Sequence, residues 1–213
     1  LLLASRSGCV VRDGQGLDVV STAVLVCDGA DCGDTSSLMA ARSLVGELHA
    51  AGVLRDRMLR ALSANDLDAS FAPQAAASAH LHKTSGSRYL FESFGLFSSV
   101  ASTFGNVGQA NYAGANAYLD ALVLRRRRCG MLGSSLQIPA VSGAGMGART
   151  FGEEQLDAMG AISLDAFAAC LGWTLAPARA ATESTHAPLD PALLPRTAIS
   201  ALSELRHLEH RPV

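Results

Sequence analysis

No stretch of this chain reaches the roughly 18 consecutive apolar residues that a membrane-spanning helix needs, and its short apolar start has neither a basic leader nor a cleavage site. Excess charge of either sign is also missing. Seventeen Lys and Arg against 19 Asp and Glu leave a net charge of -2, which creates no field to gather nucleic acid or an anionic membrane. The one basic run, Arg125 to Arg128, stands just before Gly130, where cations complement a helix C-terminus, and it reads as a solvated helix end rather than a binding patch. Close cysteine pairs are absent. Cys9, Cys27, Cys32, Cys129 and Cys170 are odd in number and scattered, without the spacing of a zinc site or a disulfide framework, and they suit a reducing cytosol.

What the chain does have is apolar content. Its 213 residues are 49% hydrophobic and 17% charged, enough for one domain with a large core and unlike a disordered chain. Apolar runs at Leu1 to Ser5, Ser21 to Cys27, Leu44 to Ala50, Ser93 to Phe97 and Ser134 to Ile138 alternate with helical stretches. That alternation predicts an α/β fold with a parallel sheet and crossover helices. Glu47 puts a charge inside the third run and weakens that strand assignment. The connection Gly8 to Val20 is short for a crossover helix.

Gly143-Ala144-Gly145-Met146-Gly147 has the spacing Gly-x-Gly-x-Gly and not the Gly-x-Gly-x-x-Gly of a dinucleotide turn. It reads as a lid over substrate. Ser163 can cap a helix running to about Leu175, with Asp165 in its first turn. Beyond it, Pro177, Pro188, Pro191 and Pro195 with Thr182, Ser184 and Thr185 read as a linker over 176–213. A short closing helix is expected at Ala198 to Glu209, where His207 and His210 read as exposed histidines rather than a metal site.

The chemistry is concentrated in residues 97–119. Gly95-Leu96-Phe97 leads into Ser98 and Ser99, placing a hydroxyl at the carboxyl end of a strand, where open α/β sheets hold ligands. Tyr112 and Asn116 follow, four residues apart on the next helix, and so project side by side. Ser99 can hydrogen-bond a substrate carbonyl, Tyr112 can donate the proton its oxygen needs, and Asn116 can hold the waters or backbone that relay it. This is the layout of a carbonyl-reducing site, and the hydride has to come from a cofactor because no side chain supplies one.

The stretch resembles the active-site segment of the ketoreductase domain of modular polyketide synthases, in the short-chain dehydrogenase/reductase superfamily. Other words extend the likeness collinearly over residues 1–175. Leu1 to Gly8 (LLLASRSG) is similar to that domain's second strand with its Ser-Arg pair, Cys27-Asp28-Gly29-Ala30-Asp31 to its third strand and turn, and His49-Ala50-Ala51-Gly52-Val53-Leu54 to its fourth. The resemblance implies a Rossmann-like, doubly wound parallel sheet, with the first strand and its Gly-rich turn lying before Leu1. It also implies catalytic roles for Ser99, Tyr112 and Asn116, with Ser99 preferred because the family's serine is the second of the pair.

The implied cofactor is NADPH, since Arg6 beside Ser5 at a strand end supplies the cation that a 2′-phosphate needs. Asp28 and Gly29 match the adenine-contacting turn, and Ala50, Ala51 and Gly52 are small enough for the cofactor's sugar to approach the backbone. The implied partners are an acyl carrier protein with its phosphopantetheine-linked substrate and the neighbouring synthase domains, in the cytoplasm, with no nucleic acid or membrane.

Three departures from the family stand out. Phe71-Ala72-Pro73-Gln74 resembles its Ala-Pro-Lys, so Gln74 occupies the place of the lysine that holds the nicotinamide ribose and lowers the tyrosine's pKa. On a continuous helix neither His82 nor Lys83 could reach that place. Leu54-Arg55-Asp56 stands where B-type members carry Leu-Asp-Asp, and Phe104 where A-type members carry tryptophan; both lean to B-type stereochemistry, with Asp56 as its marker. Ile138-Pro139-Ala140-Val141 replaces a common Trp-Gly-Pro-Trp. The expected function is reduction of a β-ketoacyl thioester; the alternatives are a structural, degenerate ketoreductase-like domain, a fatty acid synthase reductase or a stand-alone carbonyl reductase.

Overall fold

The computed structural model describes residues 2–7, 23–40, 44–85, 91–143, 145, 148, 151–158, 160–175 and 185–186. The Gly8 to Val20 connection, the closing helix with His207 and His210, and all of 176–213 except 185–186 lie outside the described residues. Strands β1 (Leu2–Ser5) and β2 (Ala23–Val26) pair in parallel. Strands β3 (Gly46–His49), β4 (Ser93–Ser99), β5 (Ser134–Ile138) and β6 (Thr185–His186) form a second parallel sheet in that order. The expected parallel sheet is thus present in two pieces, and among the described residues no ladder joins β1 to β3. Glu47 is inside β3 after all, and β4 runs two residues past the expected Phe97, to Ser99.

Strand periodicity decides what each face meets. Phe94 and Leu96 of β4 pack with Leu119, Leu122 and Val123 of α5 (Ala110–Arg128), together with Met39, Leu81 and Phe91. Their alternates face the other layer: Phe97 meets Phe167 of α7 (Leu164–Leu175) edge to face at 5.7 Å. Gly95 lies so close to Leu175 that a Cβ there would stand 2.6 Å from its Cδ2. Helices therefore cover both faces, the doubly wound arrangement. Leu119 is fully buried, and Leu119→Ala would cost about 2–5 kcal/mol through lost transfer energy and the cavity left behind.

Local chemistry sets the helix ends. Asp31 Oδ1 accepts from Asp34 N at 2.9 Å and opens α1 (Cys32–Ala40). Ser63 and Asp66 form a capping box at α2 (Ala64–Phe71). Ser163 Oγ accepts from Ala166 N at 3.2 Å at the head of α7, as its sequence position implies. α5 closes on Gly130 at φ 72, with Met131 N donating to Arg126 O and Gly130 N to Arg127 O, a left-handed glycine stop. Helix α6 (Glu153–Ala158) precedes α7, and α3 (Ala77–Ser85) follows α2.

Two expectations need correction. The Arg125 to Arg128 run is not uniformly solvated. Arg126 is buried beneath the helix, its guanidinium 3.6 Å from the Phe94 ring centre, with Nε donating to Leu132 O at 2.8 Å. Residue 126 continues the stripe of Leu119, Leu122 and Val123, so helical phase brings it inward. Nor is the helix through Gln74 continuous. Residues Ala72–Ala76 form a π-helical turn between α2 and α3, with Ala77 N donating to Ala72 O. Pro73, which has no N–H to give, stands in that turn.

Candidate active site

Ser98 and Ser99 end β4 on opposite faces. Ser98 Oγ turns to α5 and donates to Asn116 O at 3.3 Å. Ser99 Oγ accepts from Ala101 N at 3.2 Å, across the turn into α4 (Ala101–Phe104). One lone pair of that hydroxyl is therefore occupied and its O–H is left to point elsewhere. Tyr112 enters from the first turn of α5 and lies against the Ser99 and Asn116 side chains. Asn116, one turn on, is completely buried; its Nδ2 donates to Tyr112 O at 2.9 Å and its Oδ1 has no donor. The three residues singled out in the sequence are thus brought together.

Burial raises the Tyr112 pKa above its ordinary value of 10.0; hydrogen bonding by Ser99 and Asn116 pulls it down, and the charge of Asp56 pushes it up again. The phenol consequently stays protonated at neutral pH, and the groups that pull its pKa down, Ser99 and Asn116, are both neutral. Gln74 is 2% exposed, in the π-helical turn that packs against α5, and its Oε1 has no donor. Neither His82 nor Lys83 turns a cation towards Gln74. Lys83 is exposed, and His82 meets Arg126 NH1 at 2.9 Å.

His49, at the end of β3, was not singled out in the sequence. Its buried ring has its pKa lowered by desolvation, with the Gln74 and Pro73 backbone pulling upward. The ring lies against the backbone of the π-helical turn, with its Nε2 buried and unpartnered. Its position at the head of His-Ala-Ala-Gly was the available signal.

Asp56 is exposed, and its Oδ2 accepts from Gln109 Nε2 at 3.0 Å. Arg57 N donates to Gly108 O at 2.8 Å, and Asn111 Nδ2 faces Arg55 O, Asp66 O and Ser70 Oγ at 2.9, 3.1 and 3.0 Å. The loop of Leu54-Arg55-Asp56 is therefore fastened to the residues just ahead of Tyr112. Gln109 and Asn111, both buried, also went unmarked in the sequence, since polar residues before a helix read as ordinary turn chemistry.

The cofactor candidates stand at the carboxyl ends of their strands. Ser5 Oγ ends β1, buried and without a partner, beside exposed Arg6. Asp28 follows β2, its N donating to Asp34 Oδ2 at 2.9 Å and its Oδ1 accepting from Ala30 N at 3.0 Å. Gly29 packs on α3, where a Cβ would stand 3.1 Å from the Ala77 Cβ. Ala50 and Ala51 are exposed and Gly52 half-buried after β3. An orphaned hydroxyl, a free guanidinium and three small residues fit the adenosine end of a dinucleotide phosphate. Of the Gly143 to Gly147 segment, Gly143 and Gly145 have φ of 79 and 83, while 144, 146 and 147 lie outside the described residues.

Comparison with known proteins agrees with this geometry. The KR-domain family matches residues 4–143. The chain is 48% identical over 117 residues to spectinabilin polyketide synthase system protein NorA′ of Streptomyces orinoci, covering 52% of this chain and 3% of that protein. It is 41% identical over 146 residues to polyketide synthase GfsA of Streptomyces halstedii, covering 64% of this chain and 2% of that one. Among solved structures, an A1-type ketoreductase superposes with a TM-score of 0.78 at 28% identity, covering 98% of this chain and 48% of its own. The first ketoreductase of the tylosin polyketide synthase does so with 0.77 at 28%, covering 98% and 49%. The chain spans less than half of each solved structure and a few per cent of the curated relatives. With its parallel α/β architecture and its serine, tyrosine and asparagine convergent at the strand ends, the chain belongs to the KR-domain family, the ketoreductase domains of modular polyketide synthases.

Proposed function

We propose that this chain carries the catalytic residues of an NADPH-dependent reductase that converts a β-ketoacyl thioester, held on an acyl carrier protein, to the β-hydroxyacyl form within a multidomain synthase. The observation that carries this reading is the convergence of the Ser99 and Tyr112 side chains with Asn116 behind them. The KR-domain match and the polyketide synthase names of the relatives support the substrate class.

NADPH, when bound, supplies the hydride; all other steps fall to the chain itself. Arg6 offers a cation to a 2′-phosphate, and Ala50, Ala51 and Gly52 leave room for the sugar. Ser99, with Ala101 N–H on its lone pair, donates its O–H to the substrate carbonyl and holds it in place. Tyr112, kept protonated by burial, gives its proton to the carbonyl oxygen as that oxygen becomes an alcohol. Asn116, its Nδ2 on the Tyr112 carbonyl, holds the helix turn that carries the phenol. Gln74 can hydrogen-bond a ribose but cannot stabilise a phenolate by charge, so the proton transfer is slow.

Gln74 also favours a second reading, a structural ketoreductase-like domain that spaces or docks its neighbours. The two separate in the full-length protein with NADPH and a β-ketoacyl thioester analogue. The first predicts slow reduction that rises with Gln74→Lys and is abolished by a further Tyr112→Phe. Absence of both reduction and NADPH binding, in the unaltered protein and in Gln74→Lys alike, would leave the structural reading.

A further inference from the structure

Tyr112, Asn116 and Asp120 fall four residues apart on one ridge of α5. The first two belong to the site; Asp120 does not, yet it is the most heavily bonded carboxylate near it. Its Oδ2 accepts from Ser102 Oγ at 2.7 Å and from Gln137 Nε2 at 2.8 Å, and its Oδ1 accepts from Ser135 Oγ. Gln137 Oε1 in turn accepts from Thr103 Oγ1 at 3.0 Å. Ser102 and Thr103 are the two middle residues of the four-residue helix α4, Gln137 and Ser135 belong to β5, and Asp120 to α5. A four-residue helix has almost no stability of its own, so these bonds decide where it sits.

What α4 controls is Ser99, because Ala101 N, in its first turn, donates to Ser99 Oγ. We propose that Asp120 is a positioning residue of the reductase: through Ser102 and Gln137 it fixes α4 against α5 and β5, and α4 fixes the Ser99 hydroxyl relative to Tyr112. The proposal rests on the reductase reading above. The hydrogen bonds are charge-assisted where they end on the carboxylate, which makes the anchor stiff as well as directional. Neither the serine nor the tyrosine is touched by Asp120, so its effect is on geometry alone.

The gentlest test leaves Asp120 in place with its β5 donors and cuts only the two ties to α4. In the full-length protein, Ser102→Ala/Thr103→Val should speed hydrogen exchange at the Ala101 amide by about tenfold or more. It should also lower kcat by between about tenfold and a hundredfold, the usual effect of a misplacement near 1 Å, with the NADPH KM and the Tm kept. Ser102→Thr, which retains the hydroxyl, should keep both readouts at their starting values. Asp120→Asn should move both in the same direction as the double variant. A fall in Tm with Ala101 exchange and kcat unchanged would make the network purely structural and overturn the proposal. If the unaltered protein reduces nothing, the reductase reading fails on that ground, and Ala101 exchange still decides whether Asp120 holds α4 in place.

Discussion

Asn116 Nδ2 reaches back 2.9 Å to the carbonyl of Tyr112, and its Oδ1 is left buried with no donor. The amide is thus locked to the helix turn that carries Tyr112 and is packed against the phenol. Asn116→Ala should therefore reduce kcat without changing NADPH affinity. The loss should be part of the roughly hundred- to ten-thousand-fold that positioned proton transfer contributes, and smaller than that of Tyr112→Phe. Steady-state kinetics of the two variants side by side would check the order; an equal or larger loss in Asn116→Ala would not fit.

The pH profile should carry the signature of a buried phenol without a cation. The Tyr112 pKa is raised above 10.0, chiefly by burial, so the acid form persists through neutral pH and beyond. The alkaline limb of kcat/KM should lie above pH 10, and Gln74→Lys should shift it downward, since an ammonium nearby favours the phenolate. An unaltered protein whose activity is already lost at pH 8 would contradict the raised value.

Arg6 offers a phosphate-specific test. It is exposed at the end of β1, next to the orphaned Ser5 hydroxyl. Arg6→Ala should weaken NADPH binding severalfold more than NADH binding, because only the former has a 2′-phosphate to lose. Titration of both cofactors by fluorescence would measure it, and equal losses would take Arg6 out of the site.

Glu47 should make stability depend on pH in an unusual direction. Both its oxygens are buried with no hydrogen-bond partner, and desolvation pushes its pKa from 4.5 up to about 7, with Arg126 pulling the other way. The folded state therefore holds a proton that the unfolded chain has released between those values. Stability from this group is greatest below pH 4.5, declines as pH rises to about 7, and stays low above. Glu47→Gln should raise stability at pH 8 by up to about 3 kcal/mol, and the gain should shrink towards pH 5. Denaturant titrations at the two pH values would check it.

Much of this is legible in the sequence. Five strands were placed by apolar runs because short buried strands carry little else, and β5 matched to the residue. Ser99, Tyr112 and Asn116 could be read because one strand end and one helix turn fix their directions locally. The remainder depends on tertiary contacts that no local pattern encodes. Arg126 reads as surface in composition and is buried by phase; Glu47 weakens the strand assignment in the sequence, yet its carboxyl is buried within β3. Gln74 is turned inward by a π-helical turn whose only local sign is Pro73. His49 and Asn111 matter through carbonyls and a hydroxyl far away in sequence.

The division of the sheet has a consequence for how the molecule holds together. Among the described residues β1 and β2 pair only with each other, and this unit is coupled to the larger sheet where α1 packs on α3 and the Asp28-Gly29 turn rests on Ala77 and His80. The piece bearing Arg6 and the piece bearing Ser99 thus meet through helix packing and one turn. A dinucleotide reaching from Arg6 to Ser99 would bridge that seam. Its binding energy would then fall on both pieces at once, tying the strand end that carries Arg6 to the one that carries Ser99.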